Sequence, residues 1–132
     1  MIQNESNIRR WVREQFPKES LWVEHSIGGT AGFPDCVLMI DGRLWPIELK
    51  YSIVNDGDWG GELRPAQVRV GEILMKNGIE MHILVGSEFQ KVLWMTSFSN
   101  YFHRYGTGDA TKMIPVDGRK SIVAQLNKIK LG

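Results

Sequence analysis

The order of helix-like and strand-like segments predicts an α/β fold, with a mixed sheet held between helices. Three observations carry that prediction. An amphipathic segment opens the chain, with Ile8, Trp11, Val12 and Phe16 at helical spacing and Arg9, Arg10 and Arg13 elsewhere on the wheel. Two apolar runs then flank Asp41-Gly42, a dipeptide that tolerates positive φ at both places and so suits a two-residue hairpin turn. A second helix-like segment follows, and it suits a crossover that returns the chain parallel to the second hairpin strand.

The first helix is expected from Asn4 to Phe16, ended by Pro17. "LWVEHSI", Leu21 to Ile27, reads as a strand, and "GGTAG", Gly28 to Gly32, as a flexible connection. The hairpin comes next. After Tyr51, "SIVNDGDWGGE" is polar and glycine-rich and reads as a loop of the kind that lies over a site. Pro65 opens the second helix at a position where proline loses no helical bond, and Gly78 ends it. "IEMHILVG" and "KVLWMT" are the next strands, joined by "SEFQ". Between Met95 and Gly118 the pattern supports only a short helix around "FSNYFHRY". A last helix, Lys120 to Leu131, aligns Ile122, Val123, Leu126 and Ile129.

A chain of 132 residues suits one domain with its own core. The net charge of +1 makes the whole molecule neither a polyanion nor a polycation, so nucleic-acid binding would depend on local patches. Cys36 is the single cysteine and cannot form an internal disulfide, and the N-terminal residues lack the apolar core of a signal peptide. A reducing cytosol is the expected compartment. No apolar run has the length of a membrane span, so no membrane association is expected.

The hairpin carries the chemistry. With Asp41 and Gly42 as the turn, Ile40 pairs with Arg43, and counting outward brings Asp35 opposite Glu48. Directly opposed residues share a sheet face, with Cβ atoms about 4.5 to 5.5 Å apart. Lys50 lies on that same face, whereas Ile47, Leu49 and Tyr51 point to the other. Two opposed carboxylates repel, and a divalent cation between them would remove the repulsion. Mg²⁺ is suited, because it takes oxygen ligands and often only one or two carboxylates. A neighbouring lysine can orient water or offset charge on a phosphate. Pro46 leaves a second register open, since a bulge there would move Asp35 off Glu48. The alternative without chemistry is that Asp35 caps a turn after Pro34 while Glu48 and Lys50 form a solvated strand face.

"Pro34-Asp35" followed by "Glu48-Leu49-Lys50" resembles the signature of the PD-(D/E)XK nuclease superfamily. "GGTAGFPD" is similar to the approach to that motif in VRR-NUC domains and archaeal-type Holliday junction resolvases, and "LRPAQ", Leu63 to Gln67, to the start of the next helix in VRR-NUC proteins. Arg64 stands where that pattern often has a hydroxyl residue. The resemblance covers roughly Glu5 to Gly86. It implies a restriction-endonuclease-like core, three-layered, recognisable over about residues 5–95 and elaborated over about 96–132.

Carried over, the resemblance makes Asp35 and Glu48 metal ligands, with the backbone carbonyl of Leu49 as a further one, and Lys50 the group that assists attack on the phosphodiester. Glu5 is the candidate for the first-helix glutamate many members use, sharing a face with Ile8 and Val12; a charge placed at a helix N-terminus is its alternative. Gln67, in line with Val70, Gly71 and Leu74, is expected to face the sheet and touch Lys50 or phosphate; an exposed first-turn glutamine is its alternative. Candidate nucleic-acid contacts are Arg9, Arg10, Arg13, Lys128 and Lys130, a solvated helix face being their alternative, with Trp59 available to stack on an unpaired base or to fold back as a lid over the core. His25, His82 and His103 lack paired zinc-ligand spacing, and Cys36 reads as a buried core thiol. The implied function is a Mg²⁺-dependent endonuclease, with Mn²⁺ able to substitute, that cuts DNA, branched DNA included, as a homodimer; a phage or mobile-element source would suit it. Two alternatives stand beside it: a non-catalytic nucleic-acid binder on a nuclease-like fold, and a nuclease subunit that needs a partner.

Overall fold

The computed structural model describes residues 4–23, 32–52, 63–87, 93–101 and 113–128. These form helix α1 (Glu5–Gln15), strands β1 (Ser20–Trp22), β2 (Cys36–Ile40) and β3 (Arg43–Ser52), helix α2 (Pro65–Lys76), strands β4 (His82–Ser87) and β5 (Leu93–Ser97), the short helix α3 (Phe98–Tyr101), strand β6 (Ile114–Val116) and helix α4 (Arg119–Asn127). All six strands make one sheet in chain order. Only β3 and β4 run parallel. The sheet is therefore mixed, with α2 as the crossover.

Two apolar clusters show the layers. On one face, Ile8 and Val12 of α1 and Ile122 and Leu126 of α4 pack with Leu38, Ile47, Leu49, Leu84 and Met95. On the other, Val68 and Leu74 of α2 and Phe98 and Tyr101 of α3 pack with Ile83 and Val85. Strand periodicity of two sends Leu84 to one cluster and its neighbours to the other. At Gly71 a Cβ would lie 2.5 Å from Phe98 Cε2, so α2 and α3 meet only because that position has no side chain.

Asp41 (φ 53°) and Gly42 (φ 75°) both take the left-handed conformation that a primed turn requires. The ladder runs from Ile40 opposite Arg43 to Cys36 opposite Ile47 without a bulge. Pro46 is accommodated for a geometric reason. Hydrogen-bonded and non-bonded pairs alternate from the turn, so the Val37/Pro46 pair is non-bonded and Pro46 is not asked to donate to β2. On its other side the pairing with β4 begins only at Ile47.

Several boundaries depart from expectation. Strand β1 is Ser20–Trp22, one residue earlier and shorter than "LWVEHSI", whose residues from Glu24 lie outside the described ones. Strand β4 begins at His82 and not at Ile79, because the Ile79 N–H is bonded to Leu74 O at 2.9 Å and closes helix α2. Strand β6 was not expected: three residues with Pro115 at the centre carry no alternation, and a sheet edge tolerates such a strand. Helix α4 starts one residue early, at Arg119, and Ile129 lies outside the described residues. No helix among the described residues is long and apolar enough to cross a membrane.

Candidate active site

Asp35 directly precedes β2, and continuing the observed register sets it opposite Glu48 of β3. Chain approach to this position is tight. Gly32 has φ 83°, and a Cβ there would lie 2.3 Å from the Ala66 carbonyl oxygen, so only glycine lets the segment pass the start of α2. Asp35 Oδ2 accepts from the Leu49 N–H at 2.8 Å. That N–H points along the sheet plane, where a further β2 residue would have met it. The carboxylate therefore sits at the sheet plane and is reached from both faces.

From the α2 face come Glu48, Lys50 and Gln67. Gln67 Nε2 donates to Glu48 Oε1 at 2.9 Å, while its Oε1 accepts from Lys50 Nζ at 3.0 Å and from the Arg64 N–H at 2.8 Å. One amide thus satisfies the open end of α2, tethers the lysine and fixes the glutamate. The Arg64 side chain makes no cap bond, as expected where a hydroxyl residue is missing. Glu48 Oε2 is buried and meets no donor among the described residues. Burial above all, and then the charge of Asp35, push the Glu48 pKa far above the usual carboxylate range, with Lys50 pulling the other way.

From the α1 face come Glu5 and Arg9. Asn4 caps α1 by accepting from the Asn7 N–H at 3.0 Å, which places Glu5 in the first turn and Arg9 one turn on. Glu5 is exposed on one side, yet its pKa is raised, by partial burial first and by the Asp35 charge second, against Arg9, Lys50 and Arg64. Glu5, Asp35 and Glu48 do not close into a three-carboxylate cage: no group of three His, Cys, Asp or Glu side chains suited to a metal ion occurs among the described residues.

Arg9, a candidate nucleic-acid contact, is found on Asp35, with Nη2 at 3.0 Å from Oδ1. Its guanidinium also lies over the Trp22 ring at 5.6 Å, and that of Arg13 at 4.6 Å. Trp22 was not singled out from the sequence; a lone aromatic in a short strand gives no sign of what helix will cover it. Arg10 is exposed. Lys128 is exposed and lines a separate cavity of about 420 Å³ with His82, Ser97 and Gln125, away from the carboxylates. Trp59 and Lys130, with His25 and His103, lie outside the described residues. Cys36 is fully buried, and burial pushes its thiol up to about 12, which removes it as a nucleophile.

No protein-family model matches the sequence, and no curated protein matches it. Among solved structures, the chain is similar to Hjc, a Holliday junction resolvase from the archaeal hyperthermophile Archaeoglobus fulgidus. Identity is 14%, the likeness covers 89% of this chain and 92% of that one, and the TM-score is 0.54. At that identity the likeness establishes a shared α/β fold.

Proposed function

We propose that this chain is a Mg²⁺-dependent endodeoxyribonuclease that cuts branched DNA. The observation that carries the proposal is the buried Glu48 Oε2, without a donor among the described residues, opposite Asp35 and beside a lysine held by Gln67. A buried carboxylate oxygen without a donor is costly, and a hard cation is the partner that fits an all-oxygen setting. Asp35, Glu48 and the Leu49 carbonyl would hold it, with Glu5 at the rim. When bound, the ion supplies charge compensation at the phosphodiester and acidifies water.

The chain's own residues divide the remaining work. Lys50 gives one N–H to Gln67 and, among the described residues, keeps two for a water or a phosphate oxygen, so its ammonium orients the attack and offsets developing charge. Gln67 is a positioning residue, since it acts by holding Glu48 and Lys50. Glu48 must lose its proton to serve as a ligand, so cation binding and deprotonation are coupled. The choice of branched DNA draws support from the resolvase named above, whose fold this chain shares. Recognition of backbone shape suits a small domain better than sequence readout. Two copies would present two sites to two strands.

The test is cleavage of matched four-way junction, flap, duplex and single-stranded DNA in Mg²⁺ or Mn²⁺, comparing wild type with Glu48→Ala. Cleavage by wild type alone, with the junction preferred, is expected. Inactivity of wild type on every substrate, with binding retained, would instead favour a binder or a partner-dependent subunit.

A further inference from the structure

Asp35 has two carboxylate oxygens, and the structure engages both: Oδ2 with the Leu49 N–H and Oδ1 with Arg9. Glu48 Oε2 across the ladder has no donor among the described residues. A cation shared by these carboxylates would stand close to the Arg9 guanidinium, and two positive charges at such a range repel strongly in a half-desolvated setting. We propose that Arg9 is a movable counter-charge, which holds Asp35 in the metal-free protein and transfers to a substrate phosphate when the cation takes the carboxylate. This rests on the metal-dependent nuclease reading given above.

The surroundings of Arg9 suit such a transfer. Its side chain keeps 31% of its surface exposed while that of Asp35 keeps 7%, so Arg9 reaches solvent where Asp35 is nearly closed off. The Trp22 ring beneath it is fixed, because Nε1 donates to Ser20 Oγ at 3.1 Å and that hydroxyl donates to the Phe16 carbonyl at 2.8 Å. Arg9 can leave Asp35 without losing this aromatic shelf. Arg13 also lies over this ring, at 4.6 Å, so a second positive charge stands beside Arg9 where a phosphate would approach. The planar fork of Arg9 matches a phosphate as well as it matches a carboxylate. Glu5, one turn before Arg9, is the other carboxylate whose charge Arg9 influences.

The consequence is a linkage. DNA that draws Arg9 away raises the affinity of Asp35 and Glu48 for the cation, and the cation raises the affinity for DNA by the same factor. The experiment is a Mn²⁺ titration followed by electron paramagnetic resonance, with and without four-way junction DNA, in a Lys50→Ala background that suppresses turnover. Without DNA, Arg9→Gln is expected to bind Mn²⁺ about tenfold more tightly than the parent, and DNA should then tighten Mn²⁺ binding by a smaller factor than it does in the parent. Arg9→Lys, which keeps the charge but not the fork, should bind Mn²⁺ like the parent and show reduced coupling. Equal Mn²⁺ affinity in parent and Arg9→Gln, with Glu48→Ala abolishing binding, overturns the role of Arg9 and leaves the metal site standing. Absence of Mn²⁺ binding in parent and variant alike overturns both. Thermal melts of each variant keep a folding defect from passing as either result.

Discussion

Replacing Glu48 by glutamine should stabilise the metal-free protein. Glu48 Oε1 already accepts from Gln67 Nε2 at 2.9 Å, and an amide oxygen can do the same. Its other oxygen faces Asp35, and wild type can donate across that gap only by keeping a proton, whereas an amide N–H₂ donates to the carboxylate at any pH. A hydrogen bond to a charged group contributes roughly 1.5–3 kcal/mol, so a gain of about 2 kcal/mol is expected near neutral pH, or on the order of 8 °C in Tm for a domain of this size. The sign with pH follows from the raised Glu48 pKa. The folded state keeps its proton over a range in which the unfolded chain has lost it, so wild-type stability falls as pH rises above the ordinary glutamate value of 4.5. The advantage of Glu48→Gln should therefore vanish at and below that pH and grow above it. Saturating Mg²⁺ should reverse the order, since a ligand at about 100 times its Kd adds roughly 2.7 kcal/mol to wild type and nothing to a variant without the site. Melts in EDTA and in Mg²⁺ at several pH values decide it. A variant less stable than wild type in EDTA, or equally stabilised by Mg²⁺, refutes the idea that the two carboxylates await a cation.

Gln67→Ala should lower kcat on junction DNA by about 10- to 100-fold with a smaller change in KM, as removing a group that orients active-site residues does; equal loss in both would mean that it binds substrate directly. His82 is buried against Trp45, with ring centroids 6.0 Å apart, and burial lowers its pKa to about 4. Unfolding then takes up a proton below about pH 6.5, so stability should fall as pH drops from there toward 4, by about 3 kcal/mol at most, and urea titrations of His82→Leu should show that slope removed. Gly71→Ala should cost about 1–3 kcal/mol, read from the urea midpoint, because its methyl would collide with the Phe98 ring in a filled core.

What was legible in the sequence was local. Asp41-Gly42 dictates the turn, the turn dictates the register, and a period of two then sets Glu48 and Lys50 on one face and Ile47 and Leu49 in the core. Gln67 was legible for a similar reason: Pro65 marks the helix start, and helical spacing aims the third helical residue at the sheet. Arg9 was not. It meets Asp35 across 26 residues, and periodicity tells which face of α1 is apolar without telling what lies at the border of that face. The only hint was its position one turn after Glu5, which puts any group near Glu5 within reach of both. That the two halves of the site differ in legibility has a physical basis. Glu48, Lys50 and Gln67 are held by elements whose own turns and caps determine their direction, whereas the Arg9–Asp35 pair exists only because α1 and β2 are docked on the same core. A contact made by docking alone is also the one that a bound cation can break without disturbing either element, which is why the movable charge in this site is placed on α1 and not on the hairpin.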